Sequence, residues 1–440
     1  MTQQITRHEL PEWVEPVDVH AALWSQHENV IWLDAGPDAD HGFSYIAVGS
    51  GPLIRGRDLD VLRSRIPVPS HHVVPEHTPS DSPRFNLGFV GWLGYELGTS
   101  TTGVELSTAE HEPITLVEVR AALEFDHERC TVALISLTKQ DAAVLAAGLT
   151  DLGAAQRIPT RPTPTAQNAR FRHDDNHYRS MVDACRSAIY RGDAYQLCLT
   201  NEIKIDGDWD ALDVYRHLRT DNPSHHGALL SLGGVHVLSS SPEVFLRLTS
   251  TGRLSTMPIK GTRARGMTPR EDAELAAELL ASDKEQAENV MIVDLMRNDL
   301  SRVGELGTVA AQNLLEVHTL PHVHQLVSTV STQLRSGLSA VDAVQATFPA
   351  GSMTGAPKIA AMKILSQLEG GPRGIYSGAF GWFGLDGACE LAMVIRSIVI
   401  DADGASIGTG GGITIDSDPN AELEEMKLKA EPALRALGLV

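Results

Sequence analysis

The chain has 440 residues, and a usual domain size of about 150 residues suggests two or three units. Lys and Arg total 36 against 56 Asp and Glu, a net charge of −20. That acidity excludes a nucleic-acid binder, which needs a basic face to displace counterions, and adsorption to an anionic membrane surface. With 42% hydrophobic and 21% charged residues, the composition is that of a chain able to bury a full core.

The N-terminus, MTQQITRHELPEW, has no basic start followed by an apolar run, so no signal peptide is expected. No stretch approaches the roughly 18 consecutive apolar residues of a membrane span. Cys130, Cys185, Cys198 and Cys389 are too few and too scattered for a disulfide scaffold or a zinc ribbon. A reduced, soluble, cytoplasmic protein is expected.

Short apolar runs at 30–34, 43–48, 114–124 and 130–138 have β-like lengths and are separated by Gly, Pro and Asp. Residues 141–153 predict a short helix. Pro159, Pro162 and Pro164 lie among small polar residues in 154–170, which predicts a linker between an N-terminal domain, 1–153, and a larger domain, 171–440. Tyr178, Met181, Val182, Cys185, Ala188 and Ile189 recur at helical spacing. A strand is expected over 194–205, then an antiparallel run at 227–232, 235–240, 244–249 and 253–260 with glycine turns. Thr268-Pro269 with Glu271 reads as a capping box. A last helix from Asp418-Pro419 places Leu423, Met426, Ala430, Leu434 and Leu437 on one stripe. Without strict strand–helix alternation, the fold class is α+β.

Glu285 and Glu288 are three apart on one predicted helix; Glu422 and Glu425 repeat that spacing on the last one, with Lys429 a turn beyond. Alone, such pairs are solvated acidic faces. If the two helices converge, four carboxylates need a hard cation, and Mg²⁺ held partly through water suits them. Lys260, followed by Arg263 and Arg265, is either a surface charge cluster or, beside a cation, an amine pushed towards its nucleophilic form. Glu243, after a proline in SSSPEVF, says nothing by itself. The glycines of IGTGGGITID lead into a strand, not a helix, so they fit neither a dinucleotide fold nor a P-loop.

Taken together, GDAYQLCLTNEI, SSSPEVF, MPIKGTRARG, AENVMIVDLMRNDLSRV, FPAGSMTGAPK, GIYSGAFGWF, MVIRSIVI and GTGGGITIDSDPNAELEEMKLKA resemble, in collinear order over about 175–430, the chorismate-utilising enzymes. GFVGWLGYELG (88–98) resembles the family's N-terminal domain more loosely. The resemblance implies two packed antiparallel sheets with flanking helices and an active site between them. It implies that Glu288 and Glu425 ligate Mg²⁺, with Glu285 and Glu422 supporting through water. Arg396 and Tyr376 would grip the pyruvyl carboxylate of chorismate, helped by backbone N–H groups at Gly410, Gly411 and Gly412. Glu243 would protonate the departing C4 hydroxyl, and Thr354 and Lys358 would line the cavity.

Within the family, Gln196 stands where water-using members carry a lysine base, and Lys260 where anthranilate-forming members carry alanine. The resemblance therefore implies the branch making 4-amino-4-deoxychorismate, on the route to 4-aminobenzoate and folate, with Lys260 as covalent nucleophile. Arg263, Arg265 and the metal would favour its neutral form. The alternatives are an anthranilate-forming enzyme and a non-catalytic chorismate- or tryptophan-binding regulator. Gln325 occupies the usual histidine position, and His324, one residue earlier, should face the opposite way. No cysteine has the GxCxG setting of a glutamine amidotransferase, so ammonia would come from a separate glutaminase subunit.

Overall fold

Alternation along the strands decides which core each side chain enters. In Val30–Asp34, Ile31 and Leu33 join one apolar cluster while Val30 and Trp32 join another, so the strand is buried on both faces. That double burial makes it an unbroken apolar run rather than an alternating one. The computed structural model describes residues 5–70, 83–149, 169–320 and 323–439.

Among these residues the chain forms two antiparallel sheets, of twelve and ten strands. The larger sheet is centred on Val30–Asp34, His226–Leu232, Val235–Ser241, Ser397–Asp401, Gly404–Ile413 and Gln196–Ile205, in that spatial order. The smaller carries Ile259–Ala264, Val323–Gln333, Arg253–Met257, Val244–Leu248, Cys389–Met393, Ala379–Gly384 and Gly88–Leu93. Ile31, Leu33, Val90, Trp92, Phe380, Trp382 and Val399 belong to a cluster that both sheets share, in the core between them. Outside the larger sheet pack helices Asp175–Tyr190, Ala211–Asp221, Lys358–Glu369 and Pro419–Ala436; outside the smaller one pack Asp283–Ser301 and Ala340–Thr347. The expected α+β architecture of two packed antiparallel sheets is the one observed.

Four expectations need correction. The expected linker, 154–170, falls outside the described residues except for Ala169 and Arg170, which open strand Ala169–Phe171. It does not separate two cores, because Val30–Asp34 pairs with His226–Leu232 and Gly88–Leu93 with Ala379–Gly384 across it. The run 114–124 is two strands: Ile114–Val119 belongs to the smaller sheet and Ala121–Asp126 to the larger, so the chain changes sheets at Arg120. Similarly, Val235–Ser241 and Val244–Leu248 are not hairpin neighbours; the chain crosses between sheets at Pro242-Glu243. Apolarity alone cannot reveal such a crossing, because both sheets share one core. At Thr268 the hydroxyl accepts from the Glu271 N–H at 3.2 Å, while the Glu271 carboxylate accepts from the Met267 N–H, so only half of the capping box forms.

His20, on helix Pro16–Trp24, is fully buried with its ring 5.5 Å from those of both Trp24 and Trp32. Neither ring nitrogen has a hydrogen-bond partner among the described residues. Burial, aided by Arg216, holds its pKa down to about 3 against the ordinary 6.5. As the pH falls below 6.5, the unfolded chain takes up a proton that the fold excludes, so stability is full above that value and drains away towards 3. Between pH 7.5 and 5, His20→Phe should lose roughly 2 kcal/mol less stability than the wild type, read from urea midpoints. Equal losses in both proteins would remove His20 from the account of acid sensitivity.

Candidate active site

The inner face of strand Gly404–Ile413 organises the site. Its register against Gln196–Ile205 pairs Gly412 with Cys198 and Gly410 with Thr200, so Gln196, Cys198 and Thr200 face the cleft while Leu197 and Leu199 enter the core outside. A methyl group built on Gly412 would lie 2.4 Å from Nε2 of Gln196 and 3.4 Å from Nζ of Lys260. One built on Gly408 would fall 2.0 Å from Cγ of Tyr376, so the phenol packs flat on bare backbone. Any side chain here would displace what the site is made of. Gln196 is 2% exposed, and its Oε1 has no partner among the described residues.

Glu243 sits in the two-residue crossing between the sheets and is 8% exposed. Burial raises its pKa; a hydrogen bond from Ser352 and the charges of Lys260, Arg396 and Lys429 work in the opposite direction. A carboxyl held towards its protonated form, facing cations, is the environment of a proton donor. Arg396, at φ +50°, lies in the chain's return from Cys389–Met393 to Ser397–Asp401. Burial lowers its pKa, and the charge of Glu243 opposes this. It lines a cavity of about 70 Å³ together with Pro242 and Gln325.

The two carboxylate helices do converge. A methyl group on Gly411 would lie 3.2 Å from Oε2 of Glu422, 3.6 Å from Oε1 of Glu425 and 3.7 Å from Nζ of Lys429, and one on Gly261 would lie 3.0 Å from Oε2 of Glu285. Glu288 is raised by burial and then by the charges of Glu285 and Glu425, against Lys260 and Lys284. Glu422, which accepts from Ser417 at 2.7 Å, is also raised, first by burial and then by Glu425. Burial pushes Glu425 up too, but Lys429 at 2.6 Å outweighs it and the net direction is down. Among the described residues no three His, Cys, Asp or Glu side chains stand together as a ready metal cage. The donor chemistry nevertheless fits a divalent cation: hard oxygens on two helices, partly buried, raising one another's pKa.

Several expected residues have other engagements. Lys358 holds Asp299 and the carbonyl of Thr347, both at 2.6 Å, so its ammonium neutralises a buried carboxylate rather than lining the cleft. The Thr354 hydroxyl donates to the carbonyls of Ala350 and Gly351 at 3.1 and 3.3 Å. Arg263 reaches Glu278 and Glu285, and Arg265 is held by Asp272 at 2.7 Å, so neither arginine is left free beside Lys260. His324 turns away to Asp272, at 2.8 Å, as the alternation of its strand requires. Missed by sequence reasoning were Ser352 and Lys429, whose Nζ donates to the Gly410 carbonyl at 3.0 Å. The (i, i+4) spacing of Glu425 and Lys429 was visible; its meeting with the glycine strand was not.

The model of the chorismate binding enzyme family matches residues 32–435. An aminodeoxychorismate synthase of Streptomyces griseus is 40% identical over 446 residues, covering 94% of this chain. The chain spans 62% of that relative's length and 51% of the similarly named protein of Streptomyces pristinaespiralis. Anthranilate synthase component 1 of Methanothermobacter thermautotrophicus is 33% identical over 440 residues, 97% of this chain and 93% of that protein. The crystal structure of anthranilate synthase component I from Streptococcus pneumoniae TIGR4 superposes with a TM-score of 0.75 at 28% identity, covering 90% of this chain and 93% of its own. With a family match across most of its length and relatives of this similarity, the chain belongs to the chorismate binding enzyme family.

Proposed function

We propose that the chain aminates chorismate to 4-amino-4-deoxychorismate, using ammonia released from glutamine by a glutaminase partner. The observation that carries this is the amine of Lys260 beside Gln196 over the bare backbone of Gly412, in the same cleft as the buried acid Glu243. The similarity to aminodeoxychorismate synthases supports it, and the product would serve 4-aminobenzoate and folate synthesis. Four cysteines without a disulfide suit the reducing cytoplasm.

In the proposed reaction the substrate's pyruvyl carboxylate pairs with Arg396, beside Tyr376 and the N–H groups near Gly410–Gly412. The Lys260 amine attacks C2, the two ring double bonds shift, and the C4 hydroxyl departs as water with a proton from Glu243. Ammonia then attacks C4, the double bonds return and the lysine leaves. The pyruvyl group is never touched. Gln196 offers an amide where a base would activate water, so hydration of the ring is disfavoured. Glu288 and Glu425, with Glu285 and Glu422 behind them, would hold Mg²⁺. Bound there, the ion would neutralise the ring carboxylate and draw charge from the ring.

Anthranilate formation is the second reading, favoured by the similarity to anthranilate synthase components that this chain covers to 93% of their length. Chorismate incubated with the chain, Mg²⁺ and ammonium separates the two by product mass. Lys260→Ala should cut aminodeoxychorismate formation by at least about 100-fold while changing chorismate KM little, the pattern of a group acting in the chemical step. Wild type quenched with chorismate but without ammonia should carry added mass on the peptide containing Lys260. An anthranilate product, or a variant that loses only affinity, overturns the assignment.

Chelation should abolish turnover and Mg²⁺ should restore it, because carboxylates facing a dicarboxylate substrate repel it unless a cation reverses the local field. Glu288→Gln should fold normally yet stay inactive at Mg²⁺ levels saturating for the wild type. Near-normal turnover by this variant would exclude Glu288 as a ligand.

A further inference from the structure

Arg373 lies between helix Lys358–Glu369 and strand Ala379–Gly384 and is 6% exposed. All five of its N–H donors have acceptors. Nε and Nη2 clasp the two Glu369 oxygens at 2.8 and 2.7 Å, Nη2 also donates to the Cys198 carbonyl at 2.8 Å, and Nη1 donates to the Met353 carbonyl at 2.6 Å and the Ser377 hydroxyl at 3.4 Å. Its face covers the Tyr95 ring, 4.3 Å from the centroid. Glu369 extends the network, accepting from the backbone N–H and the hydroxyl of Thr200, both at 2.9 Å.

Four of these anchors, Cys198, Thr200, Met353 and Ser377, are each one step from a candidate site residue. Cys198 and Thr200 are the register partners of Gly412 and Gly410. Met353 lies between Ser352, which bonds Glu243, and Thr354. Ser377, in the left-handed conformation at φ +64°, follows Tyr376. One rigid planar cation therefore joins the strand paired with the glycine strand, the support of the buried acid and the turn that carries the phenol. A buried ion pair adds little net stability over an apolar pair of similar volume. What it does offer is fixed direction at five points.

We infer that Arg373, locked by Glu369, is a positioning residue that holds the glycine strand, the Ser352 segment and Tyr376 in mutual register for the chemical step. The inference rests on the active-site assignment proposed above. It differs from a role in folding in what it does to kcat.

The decisive variant is the double substitution Arg373→Met with Glu369→Leu, which removes both charges and leaves neither buried alone. It should melt within a few degrees of the wild type, while kcat for chorismate consumption with ammonium falls about 100-fold, the scale expected when reacting groups drift by about 1 Å. Chorismate KM should stay within about threefold. Arg373→Lys keeps the charge with three donors instead of five, and should fall between the two. If the double variant does not fold, Arg373→Lys assayed well below its melting temperature decides: a lowered kcat at unchanged KM supports positioning. Wild-type kcat in either folded variant overturns it, as does a loss that disappears on cooling the assay. The rate is read as chorismate consumed, so product identity tests the earlier assignment and the rate ratio tests this one.

Discussion

The site depends on one strand having no side chains on the face it turns to the cleft. On the cleft face of Gly408–Gly412 the backbone itself is the packing surface, with the Tyr376 ring against Gly408 and Gln196 and Lys260 over Gly412, while Gly411 alternates the other way, toward Glu422, Glu425 and Lys429 of the last helix. A single added methyl at Gly408 or Gly412 would meet an atom within 2.0 or 2.4 Å. The phenol, the amide and the amine can pack this closely against the strand only because it places no side chain between them.

Close approach brings charges together, and burial sets their balance. Glu243, Glu288 and Glu422 are all raised because desolvation disfavours three anions in a confined space. Lys260, Lys284, Lys429 and Arg396 counter them without neutralising each one. A chain of net charge −20 has no long-range attraction for an anion, so an anionic ligand here would have to be held by this local arrangement of cations and N–H donors. Behind it, Arg373 and Glu369 supply the opposite arrangement, a pair in which donors and acceptors match completely.

Crossings between the sheets, two of them at Arg120 and at Pro242-Glu243, give the fold its functional geometry. At Arg120 the passage only joins the sheets. At Pro242-Glu243 it leaves a carboxylate in the interior, at a position no regular strand could offer without turning the side chain into one core or the other.

Much was legible in the chain. Alternation and turn residues marked most strands, the apolar stripe Leu423, Met426, Ala430 marked the last helix, and the spacing of Glu285 with Glu288 and Glu422 with Glu425 placed each pair on one face. Motif resemblance singled out Lys260 and Gln196, which the fold brings together over Gly412. Partnership was not legible. Lys358 reads like any cavity lysine until Asp299, 59 residues away in sequence, stands 2.6 Å from it. Arg373 reads as one more charged residue until the carbonyls of Cys198 and Met353 converge on it. Periodicity and spacing are local quantities, and they determined the elements and the faces. Which face meets which, where the chain changes sheets, and which charge is neutralised by which are set by contacts between residues far apart in sequence, so tertiary structure alone decided them.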